Sequence, residues 1–85
     1  MAANEGPSPI LRVTVDSPVY TADAQKIGKV KEIRGDSFKV DAGFLQRDYW
    51  LPARTIASAT PDFGVELAVE KRQVQQYKER EPAAA

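Results

Sequence analysis

At 85 residues the chain has room for one domain with a modest core, since chains of this size hide only about 60–65% of the surface that their unfolded form exposes, and a deep catalytic cleft is not expected. Twelve basic side chains balance twelve acidic ones, which removes any global attraction to nucleic acid or acidic lipid. Cysteine and histidine are both absent, and with them go disulfides, thiolate nucleophiles, imidazole bases and the usual zinc ligands.

Residues 1–9 are small, polar and proline-punctuated, the composition of a disordered tail. They hold no basic n-region and no apolar run, and no stretch of about twenty apolar residues follows. Neither a signal peptide nor membrane insertion is expected, and a cytoplasmic location is the default. Over 10–15, Leu11, Val13 and Val15 alternate with Arg12 and Thr14, which predicts a strand. Pro18 interrupts, extended chain resumes over 18–21, and Ala22 to Gln25 turn it. In 26–34, Ile27, Val30 and Ile33 stand three apart, a spacing that fits a helix as well as a strand. Gly28 and the β-branched residues favour the strand, with a bulge at Gly28 switching the inward parity and a further parity change, or a strand end, before Ile33.

Gly35-Asp36 suits a tight hairpin turn into a strand over 37–41, where Phe38 and Val40 alternate with Lys39 and Asp41. After the looser Ala42 to Arg47 segment, Tyr49-Trp50-Leu51 makes a strand over 48–52 that Pro52 stops. One irregular or 3₁₀ turn leads to a short strand over 57–60, a turn at Pro61 to Gly64, and a last strand over 64–69. Residues 70–79 read as a short helix docked by Val74 and Tyr77 alone, and 81–85 as a flexible tail. Six strand-sized pieces in about seventy ordered residues predict a mainly β domain over 10–80, an SH3-like antiparallel barrel with a short C-terminal helix. The 10–15 segment either closes that barrel or pairs with another chain.

Pro18-Val19-Tyr20-Thr21, Ile27-Gly28-Lys29-Val30, Gly35-Asp36-Ser37-Phe38-Lys39-Val40, Tyr49-Trp50-Leu51-Pro52 and Val65-Glu66-Leu67, in that order, resemble a PRC-barrel domain. The chain is similar in particular to the small stand-alone bacterial proteins of the DUF2171 type, over roughly residues 16–77. It departs from them at Ala24, where a turn glycine is usual, and in the added alternating segment at 10–15. The resemblance implies a six-stranded PRC-type barrel used for protein binding or assembly. Related barrels contact other proteins in the cytoplasmic subunit of photosynthetic reaction centres and in a ribosome maturation factor. No catalytic, cofactor-binding or metal-binding residue carries over, because the matching positions are those that build the barrel.

The candidate chemistry points the same way. Ser17, Ser37 and Ser58 have no histidine to serve as base. Asp36, Asp41 and Asp48 are better read as turn residues than as an acid/base pair or a calcium loop, and Gly28-Lys29 is no phosphate loop. No enzymatic activity is expected. A nucleic-acid reading uses Lys29, Lys31 and Lys39, with Arg47 and Arg54 bracketing Tyr49-Trp50, but the neutral charge balance weakens it. Because Tyr49 and Trp50 face opposite ways on a strand, one of them is left over for a groove, a partner or the terminal helix. Protein-partner contact is therefore placed on Tyr49, Trp50, Arg47 and Arg54. Self-association is placed on the edge formed by Leu11 and Val13. An RNA- or ribosome-associated role is the second reading, and a small ligand at the barrel mouth the third.

Overall fold

In the computed structural model, which describes residues 9–82, six strands form one sheet and a short helix follows them. The strands are β1 (Pro18–Tyr20), β2 (Lys26–Arg34), β3 (Ser37–Asp41), β4 (Tyr49–Pro52), β5 (Ile56–Thr60) and β6 (Gly64–Leu67); the helix is α1 (Lys71–Tyr77). The mainly β class and the six strands between residues 18 and 67 agree with the expectation. The tail expected at 1–8 and the final residues 83–85 lie outside the described residues, whereas Pro9 already opens a 3₁₀ turn.

The strand order is β4-β3-β2-β1-β6-β5, and it departs from an antiparallel barrel in two ways. First, β1 and β6 run parallel, Val19 beside Val65 and Tyr20 beside Glu66. The four intervening strands carry the chain around the sheet, so β6 reaches β1 in the same sense rather than through a hairpin. Second, β4 and β5 are the two edges, and no ladder joins them among the described residues. They are connected by a single 3₁₀ turn, Ala53–Thr55. That short link holds their ends within roughly 15 Å, so the sheet is strongly curled. It stays open where Pro52 has no N–H to offer and its carbonyl already accepts the buried Thr55 hydroxyl at 2.8 Å.

Residues 10–15 are not a strand. Pro9–Arg12 is a 3₁₀ turn whose Ile10 carbonyl accepts the Val13 N–H at 3.2 Å. With three residues per turn, Ile10 and Val13 stack on one side, and both are buried on the segment packed against β5, while Leu11 is 72% exposed. Two periods compete in these letters, and packing against β5 selects the spacing of three. The segment thus packs against β5, and among the described residues, 10–15 join no ladder of the sheet.

The bend expected in β2 is present. Val19 pairs with Gly28 and Tyr20 with Lys26, leaving Ile27 as the extra residue, and a second register shift leaves Lys31 between the Val30–Val40 and Glu32–Lys39 pairs. The two shifts let Val30 face inward and Ile33 pair with Phe38 despite their odd spacing. At the hairpin Gly35 alone takes positive φ (59°), the pattern of a II′ turn. Val19, Val30, Phe38, Val40, Leu51, Val65 and Leu67 form the fully buried centre, and Val74 of α1 joins it.

Ala24, at the position of the missing glycine, sits at φ 64° in the turn between β1 and β2. An L-residue in that region carries a steric penalty that glycine avoids, partly offset by glycine's larger unfolded-state freedom. Ala24→Gly is therefore expected to stabilise the domain by about 0.5–1 kcal/mol, a rise in Tm of ~3–6 °C by scanning calorimetry. An unchanged or lower Tm contradicts the strain.

Candidate protein-binding surface

Alternation along β4 directs Tyr49 and Leu51 to the core side, opposite Val40 and Phe38, and sends Trp50 to the reverse face, opposite Lys39. Trp50 is nevertheless only 4% exposed. The Arg34 guanidinium lies 5.1 Å and the Lys39 ammonium 5.7 Å from its ring centroid. The chain beyond α1 binds to the same strand. The Glu79 N–H donates to the Trp50 carbonyl at 2.8 Å, forming an antiparallel bridge on the free side of β4. The Glu79 carboxylate accepts the Ser37 hydroxyl at 3.1 Å and lies 4.0 Å from Arg54. Arg34 donates to the Glu81 carboxylate and to the Pro82 carbonyl, each at 2.9 Å. Its other branch meets Glu32 at 2.6 Å, and the Glu81 and Glu32 carboxylates together hold the guanidinium pKa up. The tail expected at 81–85 is thus engaged at its first two residues.

The helix that aims this segment is itself pinned. Glu70 and Gln73 form a capping box, with the Glu70 N–H donating to Gln73 Oε1 at 2.9 Å. From the turn after β1, the Asp23 carboxylate accepts the Thr21 hydroxyl and, at 3.0 Å, the Lys71 N–H. Those two bonds, the Thr21 one foremost, lower the Asp23 pKa.

Tyr49 is half-buried, with the Lys78 ammonium 4.2 Å from its ring centroid, and burial pushes its phenol pKa up. It borders a cleft of about 300 Å³ between α1, the start of β2 and the base of the β3–β4 loop, into which Lys26, Lys71, Lys78 and Gln46 also project. None of these lysines makes an ion pair among the described residues. The same loop carries Phe44, 98% exposed, and Leu45, 88% exposed. Neither was among the residues expected at a partner contact. The available signal was an adjacent apolar pair following Gly43 in a segment with no strand alternation.

Of the expected partner residues, Trp50 and Arg54 both meet Glu79, with the Arg54 guanidinium also 5.9 Å from the Tyr77 ring, while Tyr49 lies on the opposite face of β4 against Lys78. Arg47 is exposed on the β3–β4 loop, beside Phe44 and Leu45. Leu11 and Val13 belong instead to the segment on β5, and Val13 is buried there. The basic strip expected across β2 is neutralised, Lys29 by Asp16 at 3.9 Å and Lys31 by Asp48 at 2.9 Å. Asp41 accepts the Gly43 N–H at 3.0 Å as a turn residue. Among the described residues no cluster of acidic side chains is placed to hold a metal ion, and no helix is long and apolar enough to cross a membrane.

Comparison of the chain with protein-family models, with curated proteins and with solved structures finds no match in any of the three.

Proposed function

We propose that this chain is a non-enzymatic, cytoplasmic protein-binding or assembly module of the PRC-barrel kind, and that it engages its partner through the β3–β4 loop. The observation that carries the reading is the near-complete exposure of Phe44 and Leu45 side by side. Burying such side chains is worth about 1.5–3 kcal/mol each, a gain the isolated domain forgoes. An exposed aromatic and aliphatic pair, on a loop whose base borders the cleft lined by Lys26, Lys71 and Lys78, suits a partner with an apolar pocket and an acidic rim. The kinship with PRC barrels is supported by a glycine-bent β2, a Gly-Asp hairpin and an aromatic-Leu-Pro strand end in the family's order.

An RNA- or ribosome-associated role is less well supported. A single-strand platform needs open ring faces, whereas Trp50 is covered and the Tyr49 ring faces Lys78. Pairing of two copies through residues 10–15 lacks the strand it would use.

The test is a Phe44→Ser/Leu45→Ser double variant. Its fold should be preserved, with circular dichroism unchanged and stability within about 0.5 kcal/mol, because the loop tip contributes nothing to the core. Capture of the partner that the wild type retains from native lysate should fall at least tenfold. Undiminished capture would remove the loop from the interface. Light scattering on the same pair at micromolar concentration distinguishes a foreign partner from a second copy, which would appear as a wild-type dimer that the variant loses.

A further inference from the structure

The geometry points to a second binding site on this module: we propose that the reverse face of β4, over Trp50, is a groove for an extended acidic segment of a partner protein, occupied in the free chain by its own Glu79-Arg80-Glu81-Pro82. This goes beyond the protein-binding reading, because it uses a different surface from Phe44 and Leu45.

The ligand chemistry can be read from the segment already seated there. β4 is an edge strand, and Glu79 makes one antiparallel bridge to its outer side through the Trp50 carbonyl. In extended chain, residues two apart project to the same side, which places the Glu79 and Glu81 carboxylates together. Ser37 and Arg54 receive the first, and Arg34 receives the second along with the Pro82 carbonyl. Beneath them Trp50 forms an apolar floor flanked by Arg34 and Lys39. The recognised pattern is therefore an extended Glu-x-Glu-Pro, read by two guanidinium groups, a hydroxyl and one backbone carbonyl.

The occupant is held loosely enough to be exchanged. Its Glu81 side chain is 62% exposed, and ion pairs that open to solvent contribute little. Beside its bonds at Glu79 and Glu81, the tether favours it: α1 ends at Tyr77, so the segment is presented at an effective concentration on the order of millimolar. A partner segment competes with that local concentration, and the closed form discriminates against weak acidic ligands.

The test uses the full chain carrying Glu79→Lys and Glu81→Lys, which replaces attraction by repulsion at Arg34 and Arg54. The probe is the blocked pentapeptide Lys-Glu-Arg-Glu-Pro, followed by the fluorescence of Trp50, the only tryptophan in the chain. Acrylamide should quench Trp50 more strongly in the variant than in the wild type. The peptide should bind the variant saturably, bind the wild type at least tenfold more weakly, and lose at least tenfold when its glutamates are replaced by glutamine or when Arg34→Gln is added. If the double variant fails to fold, Glu81→Gln is read by the same criteria. Unchanged quenching, no peptide binding to the opened chain, or equal binding of the glutamine peptide overturns the proposal. Adding Phe44→Ser/Leu45→Ser should leave peptide binding intact, so the two sites stand or fall separately.

Discussion

Alanine at Gly28 is expected to cost the domain more than about 3 kcal/mol, a large share of the ~4–13 kcal/mol available to a chain of this length. The reason is contact with backbone. A Cβ at this position would stand 2.2 Å from the Asp41 carbonyl oxygen and 3.0 Å from Val40 Cγ1, and the residue sits at φ 153°. Neither neighbour can withdraw. Asp41 is fixed by its pairing with Lys29, and Gly28 is held on its other side by Val19, so relief requires parting β2 from β3 or from β1. The register shift at Ile27 fails with it, and Val30 can no longer face the core. Urea titration should show a midpoint lowered by more than 1 M or no cooperative transition. A loss under about 1 kcal/mol would mean that the strands do not approach at Gly28 as closely as this fold requires.

Gly28 also marks where the sequence was informative. A glycine between Ile27 and Val30 announced a parity switch, and Gly35-Asp36 announced a turn, because both features are local: the residue that permits the conformation sits where the conformation occurs. The edges of the sheet were not legible in this way. Leu11, Val13 and Val15 offered period two while Ile10 and Val13 offered period three, and only the presence of β5 decides between them. The same applies to the parallel pairing of β1 with β6, which depends on how far the sheet curls before the chain returns.

At the candidate site, alternation along β4 correctly separated Tyr49 from Trp50 and left one aromatic over. What covers that aromatic was beyond reach, since Arg34 meets Glu81 and Pro82 from 47 and 48 residues away through charges that look like ordinary surface. Phe44 and Leu45 carry no legible signal for a different reason. Apolar letters in a loop read equally well as a buried anchor or an exposed one, and only the fold shows that no core lies within their reach.

Phe38→Ala is expected to be the most damaging truncation, about 3–5 kcal/mol, with Tm lowered by ~12 °C or more. Phe38 is the largest fully buried side chain, and its neighbours are as fixed as it is. Leu51 faces it across β3–β4 and Ile33 across β2–β3, in ladders that run on to the hairpin turn at Gly35, so the surrounding strands cannot collapse into the vacated volume. Val40, two residues along the same face, loses packing with it. Calorimetry of the variant is the measurement, and a Tm within about 3 °C of wild type would place the centre of the core elsewhere. The result also governs how the binding experiments are read. A variant that unfolds loses the β3–β4 loop and the Trp50 groove together, so lost capture in Phe38→Ala carries no information about either. Lost capture in Phe44→Ser/Leu45→Ser, at unchanged Tm, isolates the loop tip, because those two side chains contribute to no packing that Phe38 holds together.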